Sequence, residues 1–390
     1  MNTNTSNEKV NLVKTNVENY LKNIKSRIIL QKLFNYLQKR KSLLLIKYNK
    51  IIQKSLNYDI NDYRDKSIIV IELKLNENEF GTFINIKKEE EPFFHIYFND
   101  NEKEIKIYNV KKSDKVKNIK IKIDYEIKSL ARLFKDCYCI DSVYFKNFYR
   151  TNITNMSYMF YGCTSLKQIK ISSDGGINNI SNMSNMFNKC ISLVSVDFSN
   201  INFNNVKDMS NMFLECSSLK SINLNNNNTN TNTITNMSGM FFGCKSLIEV
   251  NISNFNISNL SCIFYECSSL TKVNINNYNT NNLMYIYDMF YGCSSLEEID
   301  LSFLNTNKII SMSRLFFGCS KLKKFNISNF NTDNVTITND MFNGCSNLKD
   351  FDISKFNVHK IFNMKGMFAG CSEELKGKIK DMFFYKEKEA

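Results

Sequence analysis

The chain has 390 residues, of which 43% are hydrophobic, and its formal net charge at pH 7 is +13. This apolar content excludes a chain that is disordered throughout, and the length suffices for one large domain or two ordinary ones. The positive charge is concentrated before residue 129, where 26 Lys or Arg stand against 17 Asp or Glu.

No sorting signal is visible in the sequence. Residues 1–20 are polar and lack the apolar run of a secretory signal. No stretch approaches the ~18 uninterrupted apolar residues that a transmembrane helix needs, and the last residues carry no lipidation motif. We therefore expect a disordered N-terminus over residues 1–20, no transmembrane segment and an intracellular, cytoplasmic location.

Residues 21–58 form a basic segment with the apolar spacing of helices. It contains ten Lys or Arg and no acidic residue between positions 22 and 54. We predict a small module of amphipathic helices whose basic face is solvated, or attracts acidic membrane or nucleic acid without specificity. The apolar residues at helical intervals are Ile24, Ile28, Leu33 and Leu37. Over residues 22–57 the segment resembles an F-box, which implies docking on a ubiquitin ligase.

The pattern of residues 66–128 is typical of β-strands. Short β-branched and aromatic runs alternate with charged turns, as in "SIIVIELKL", "PFFHIYFND" and "VKNIKIKIDYEI", and they predict an antiparallel or mixed sheet. The last run leads directly into the region that follows. We expect this segment to be an N-terminal cap that covers an open strand edge there.

Ten cysteines mark an internal repeat in the remainder of the chain. Their spacing is nearly constant, with a longer interval before Cys244 and a shorter one before Cys267. A regular period of roughly 20 to 30 residues indicates a solenoid, in which each coil stacks on the next. The ten cysteines are Cys137, Cys163, Cys190, Cys216, Cys244, Cys267, Cys293, Cys319, Cys345 and Cys371.

Each repeat has two halves with different periodicity, as residues 312–335 illustrate. The second half alternates apolar and polar residues like a half-buried strand. In the first half Met and Phe are three and four residues apart, the spacing of one helix face. Ser184 and its equivalents suit the start of such a helix, and the glycine before the cysteine suits its end. We predict one short strand and one helical turn per coil, with the repeated residues stacked into a continuous core.

The recurring Met-Phe-x-x-Cys-x-x-Leu-x-x-Ile-x-Ile signature resembles the 26-residue variety of the BspA-like leucine-rich repeat, which occurs in bacterial surface lipoproteins and protist proteins. The resemblance covers residues 129–372. It implies an α/β solenoid, a leucine-rich-repeat array of about ten coils with short parallel strands and helical turns. It also implies protein binding and adhesion at a cell surface. We expect residues 373–390 to form a C-terminal capping helix.

The sequence contains no motif for catalysis, a cofactor or a metal. A closed zinc site needs four converging ligands, whereas each coil offers one Cys and the chain has only two His, His95 and His359. Motifs such as GxxxxGK and GxSxG are missing. We interpret the repeated cysteines as small buried apolar residues and the chain as a non-enzymatic protein without a cofactor.

The candidate site is the surface formed by the strands of successive coils. Polar residues that alternate with core residues on these strands are expected to contact a protein partner, and no specific nucleic acid is expected. The alternatives are an F-box-like substrate adaptor of a ubiquitin ligase and a BspA-like surface adhesin. The predicted contact residues are Lys170, Asp197, Asn223, Asn251, Asn274, Asp300, Asn326 and Asp352, beside Gln168, Ser195, Ser221, Glu249, Lys272, Glu298, Lys324 and Asp350.

Overall fold

The structure is a computed structural model. Its helices are α1 (Lys50–Leu56) and α2 (Glu373–Phe383). Its strands are β1 (Ile69–Leu75), β2 (Gly81–Thr82), β3 (Phe94–Phe98), β4 (Asn109–Val110), β5 (Asn118–Ile123), β6 (Ile140–Asn147), β7 (Gln168–Ile171), β8 (Ser195–Val196), β9 (Ser221–Asn225), β10 (Glu249–Ser253), β11 (Lys272–Asn276), β12 (Glu298–Asp300) and β13 (Lys324–Asn326). The structure describes residues 50–56, 67–148, 152–171, 179–198, 201, 203–225, 234–253, 256–276, 279–349, 357 and 360–383.

Two of the predicted N-terminal segments fall largely outside this range. Residues 1–20, and the basic module 21–58 apart from α1, lie outside the described residues. The F-box resemblance therefore rests on the sequence alone. No helix in the described part of the chain is long and apolar enough to cross a membrane.

A mixed six-stranded sheet joins the β-rich segment to the first coils. Its strand order is β3-β5-β1-β6-β7-β8. The first four strands pair antiparallel, whereas β6, β7 and β8 pair in parallel. β1 alternates buried and more exposed residues, because Ile69, Ile71 and Leu73 point into the core. One face of this sheet is thus apolar and the other is polar along its whole width.

The later coils continue as parallel strand ladders. β10 lies between β9 and β11, and β12 pairs with β13. Glu249 lies opposite Ser221 across the longest coil, and opposite Lys272 across the shortest one. The long and short coils stay in register, since the connecting loops absorb the difference in length. The solenoid of leucine-rich-repeat coils is therefore confirmed.

The predicted helical turns are wrong, because each coil instead has consecutive β-turns. The N–H of Met159 donates to the carbonyl of Met156 at 3.3 Å, and the N–H of Cys163 donates to that of Phe160 at 3.1 Å. The third residue of the turn that begins at Met156 is Tyr158, with φ of +57°. Such turns need a positive φ at that position, and a helix has none.

Bonds between coils select this turn conformation. The N–H groups that close no turn point along the solenoid, so that Tyr158 donates to the carbonyl of Ser184 at 3.0 Å and Phe160 donates to that of Met186 at 2.8 Å. A helix would use the same N–H groups within its own coil, and the neighbouring carbonyls would lose their donors. Pairing along the solenoid therefore replaces the helix.

The predicted serine cap is also wrong in detail. The side chain of Asn182 accepts a hydrogen bond from the Ser184 N–H and another from the Ser184 hydroxyl, both at 2.8 Å. The same contacts join Asn236 to Ser238. The asparagine two residues before the serine is the acceptor, and it begins the turns by a side-chain bond to the backbone.

The core is a set of ladders that run through the coils. The rings of Phe160 and Phe187 stack with centroids 5.6 Å apart and planes 3° apart. The stack continues from Phe134 to Phe368 with centroid separations between 5.2 and 5.7 Å. Next to this stack the repeated Met, Cys and Leu side chains are buried. Burial of such a row stabilises every coil through its two neighbours.

Candidate protein-binding face

We call the polar surface of β7–β13 the strand-lined face. Its residues alternate with buried ones, since Ile169, Ile222 and Ile299 point inward from the same strands. Fourteen of the sixteen predicted contact residues are described, and all fourteen are exposed or half-exposed. Asp350 and Asp352 lie outside the described residues.

Strand pairing brings the predicted residues together in two parallel rows. In the first row Glu249 lies beside Lys272, and Glu298 lies beside Lys324. The Lys324 Nζ is 3.5 Å from a Glu298 carboxylate oxygen, with side chains 78% and 65% exposed. Exposed pairs of this kind contribute little to stability. These charges are therefore free to be used in recognition.

The second row is partly structural. The Asp300 carboxylate accepts a hydrogen bond from the Ser302 N–H at 2.8 Å, and the Asn326 side chain accepts one from the Ser328 N–H at 3.0 Å. Hydrogen bonds from Ser302 lower the pKa of Asp300. Both side chains stabilise the turn that follows their strand by accepting a hydrogen bond from the backbone. They are therefore weaker candidates for partner contact than the residues of the first row.

A third row, which we call the edge row, runs beside the first one and was missed by the sequence reasoning. The ten repeated cysteines are the ladder cysteines, and the edge row holds the fourth residue after each of those from Cys163 to Cys319: Lys167, Val194, Lys220, Ile248, Thr271, Glu297 and Lys323. The coils pair here too, because the Val194 N–H donates to the Lys167 carbonyl at 3.1 Å and the Ile248 N–H donates to the Lys220 carbonyl at 2.9 Å. The edge row is thus continuous with the strand-lined face.

Two apolar side chains in the edge row are exposed to solvent. Val194 is 42% exposed and Ile248 is 50% exposed. On either side of them the row carries ion pairs, Lys167 with Asp141 at 2.7 Å and Lys323 with Glu297 at 2.8 Å. The signal in the sequence was an apolar residue at a repeat position that is otherwise charged or polar.

The cysteines were the remaining candidates for a chemical role, and most of them belong to the core. All twelve cysteines are free, and eleven of them are buried. Burial raises the pKa of Cys293 and Cys319, and it raises that of the half-buried Cys262 to about 11. These thiols are therefore protonated at neutral pH. Within the described ranges no group of three or more His, Cys, Asp or Glu could hold a metal ion.

A family model described as "Mycoplasma protein of unknown function, DUF285" matches residues 128–229, 217–302 and 296–386. These matches cover more than half of the chain. The chain belongs to the DUF285 family. The matched residues of this DUF285 protein begin at the first coil and extend beyond α2, so they include the whole strand-lined face. The family description names no function. A comparison with curated proteins found no match.

Three solved structures are similar to this DUF285 protein at low identity. A leucine-rich repeat protein of T. pallidum (TpLRR) is 16% identical, covers 59% of this chain and 92% of its own, and has a TM-score of 0.31. A leucine-rich repeat protein of Eubacterium ventriosum ATCC 27560 is 19% identical over 57% and 63%, with a TM-score of 0.29. The TLR13-ssRNA13 complex is 13% identical over 58% and 41%, with a TM-score of 0.21. None of these comparisons identifies a BspA-like family or an F-box.

Proposed function

We propose that this DUF285 protein is a non-enzymatic protein-binding scaffold whose strand-lined face and edge row together contact a protein partner. The observation that carries the proposal is the exposure of Val194 and Ile248 between charged ends of the same row. Lys220 lies between these two apolar residues in the row. Protein interfaces likewise combine apolar contacts with charged and polar residues at a hydrated rim. Burial raises the pKa values of thiols such as Cys293 and Cys319, so these cysteines are not thiolate nucleophiles at neutral pH.

The stacked core supports this role energetically. Backbone hydrogen bonds join β7 to β8, β9 to β10 and β11, and β12 to β13, and the Phe stack lies behind these strands. A surface that is already ordered loses little conformational entropy when a partner binds. Covering each half-exposed apolar side chain would contribute about 1 kcal/mol. The charged first row would then set the orientation of the partner.

The test compares the two exposed apolar residues of the edge row with an exposed apolar residue elsewhere on the protein. The full chain is used as bait in an extract of cells of its own organism, and the recovered proteins are identified by mass spectrometry. We expect the double variant V194D/I248D to lose the specific partner, because two carboxylates would be buried in the interface. The control is I310D, since Ile310 is 59% exposed and lies outside the strand-lined face and the edge row.

Two outcomes are decisive. Loss of the same protein with V194D/I248D and its retention with I310D support the proposal, provided that all three chains melt at the same temperature. Undiminished recovery with the double variant rejects the face as the binding surface. Recovery of a cullin-type ligase subunit that depends on residues 22–57 would instead favour the F-box-like adaptor. The surface adhesin likewise remains a prediction.

A further inference from the structure

The polar face of the six-stranded sheet has a shallow depression where the β-rich segment meets the first coils. One row of residues crosses it from strand to strand: Lys120 lies opposite Glu72, Glu72 opposite Tyr144, and Tyr144 opposite Lys170. The depression has a volume of about 410 Å³. It is lined by both parts of the protein, since Lys120 belongs to β5 and Lys170 to β7.

Four lysines surround the depression, and we call them the basic junction: Lys74, Lys120, Lys146 and Lys170. Two carboxylates, those of Glu72 and Asp100, line it as well. Glu72 forms an ion pair with Lys146, so its charge is already compensated. Among the described residues no carboxylate lies within 4.0 Å of the Nζ of Lys74, Lys120 or Lys170. With four lysines against the carboxylates of Glu72 and Asp100, the basic junction carries a net positive charge.

The aromatic rings at this surface are already covered by cations. The Lys170 Nζ lies 5.8 Å from the centroid of the Tyr144 ring, and the Lys122 Nζ lies 5.0 Å from that of Tyr97. Proteins that bind single-stranded nucleic acids stack bases on open aromatic faces. These rings hold lysines in place, and the lysines remain available to carboxylates. This arrangement favours an acidic polypeptide over a nucleic acid.

We propose that the basic junction binds an acidic segment of the protein partner, laid across the strands from β5 to β7. The inference rests on the proposed function, because it assigns a chemical class to part of the partner. Lys120 and Lys170 are three strand spacings apart, or about 14 Å. An extended peptide covers that distance in about four residues. Two acidic side chains four residues apart would thus reach both lysines at once.

The experiment uses a defined probe. A fluorescein-labelled peptide with pairs of Glu four residues apart in a Gly/Ser background is titrated with the full chain at low salt, and anisotropy is recorded. The matched peptide has Gln in place of each Glu. We expect saturable binding of the Glu peptide that weakens with added salt, and no binding of the Gln peptide.

The variant K120Q/K170Q should weaken binding of the Glu peptide by roughly tenfold, because two charge-assisted contacts are lost. The control K245Q/K321Q removes the same charge from exposed lysines that line neither the depression nor the strand-lined face. An equal loss with the control would show a general charge effect and overturn the proposal. Absence of binding by the wild-type chain would overturn it too.

Two further measurements separate the proposals. A single-stranded RNA that competes with the peptide, binds more tightly and depends on Lys120 and Lys170 would overturn the choice of an acidic polypeptide. The variant V194D/I248D should bind the Glu peptide as the wild type does. Because Lys170 also belongs to the strand-lined face, the variant that separates the two surfaces is K74Q/K120Q, whose lysines lie on β1 and β5. If V194D/I248D loses the protein partner while K74Q/K120Q loses only the peptide, the strand-lined face is the interface and the acidic segment is not part of it.

Discussion

The thiol of Cys293 donates a hydrogen bond to the main-chain carbonyl of Phe264, 3.1 Å away in the preceding coil. That carbonyl also accepts the N–H of Cys267 in its own turn. The same thiol bond recurs at 2.9 to 3.1 Å for nine ladder cysteines, from Cys163 to Cys371. The repeated cysteine is thus a buried donor that links coils, as well as a small apolar side chain.

The loss of stability when a ladder cysteine is replaced should reflect both of these roles. We expect C293A to destabilise the protein by about 1–2 kcal/mol, since packing and a thiol bond are lost, and C293D by several kcal/mol because a charge is buried. C262A is the control, since Cys262 is half-buried and off the ladder. Urea unfolding measures the differences. An equal loss with C262A would contradict the role of the thiol bond.

Lys189 occupies a turn position that favours glycine. Its φ is +62°, and the equivalent residues Gly318 and Gly344 have φ of +72° and +80°. We expect K189G to raise stability by about 1 kcal/mol, because a residue with a Cβ is strained in the left-handed region. K220G is the matched control, because Lys220 is exposed and has a negative φ. It should lower stability through backbone entropy. The melting temperatures of both variants test this prediction. A lower melting temperature for K189G than for the wild type would contradict it.

Replacing a glycine at this turn position by a residue with a Cβ should lower the stability of the protein. A Cβ added to Gly370 would lie 3.2 Å from both the Cα and the N of Gly344, and its φ is +70°. We expect G370A to destabilise the last coil by about 1–2 kcal/mol. G377A is the control, because Gly377 is in α2 with nothing within 4 Å of an added Cβ. It should be neutral or stabilising. A melting temperature unchanged by G370A would refute this close packing.

Arg314 compensates a buried carboxylate. Its Nη2 is 2.8 Å from Asp288, whose side chain is only 5% exposed. Burial raises the pKa of Asp288, although Arg314 opposes the shift. We expect R314M to cost about 1–3 kcal/mol, less than for a fully buried pair because Arg314 is 46% exposed. Thermal denaturation at pH 7 measures the loss.

The pH dependence and a second substitution check that explanation. A carboxyl group with a raised folded-state pKa favours unfolding as pH rises through that pKa, so R314M should lose more stability at pH 7 than at pH 4. D288G should rescue R314M, because Gly239 occupies the equivalent turn position with φ of +60°. A double variant no more stable than R314M would exclude the buried charge as the cause.

His95 should make the β-rich segment sensitive to pH. Its ring nitrogens lie 3.0 Å from Glu104 and 3.2 Å from Asp124. Partial burial lowers the pKa of His95, but the hydrogen bonds and charges of the two carboxylates outweigh it, and the net shift is upward from 6.5. The stabilisation from the contacts of His95 with Glu104 and Asp124 is therefore fully present below pH 6.5. It is lost as the pH rises through the folded-state pKa of His95.

This prediction is checked by NMR titration of His95 and by melting curves between pH 5 and 8. We expect a pKa above 6.5 and, because the pairs are partly exposed, a loss of less than about 1 kcal/mol at high pH. E104Q should lower the pKa of His95, and H95Q should remove the change in melting temperature over this range. A titration at or below 6.5 in the wild type would contradict the assignment.

The sequence predicted the buried residues of the coils well and their backbone conformation poorly. Met183, Met186 and Phe187 are buried together as expected, but by consecutive turns and not by a helix. An α-helix and a series of consecutive β-turns both bury residues that are three and four apart in sequence. The spacing of the apolar residues therefore could not distinguish the two conformations. The distinguishing signal was a pair of positions four residues apart that both have positive φ, such as Asn185 and Lys189. Asn or Gly recurs in other coils at the position of Asn185.

The sequence by itself determined the period, the apolar ladders and the alternation of the strand-lined face, because each follows from side-chain polarity repeated along the chain. Only the tertiary structure decided the rest. The turn conformation depends on carbonyls of the adjacent coil, which compete with local helix bonds. The basic junction depends on pairing that brings β5 and β7 onto one sheet, although Lys120 and Lys170 are far apart in the chain. Contacts between distant residues have no local signature in the sequence, so folding alone brings these groups together.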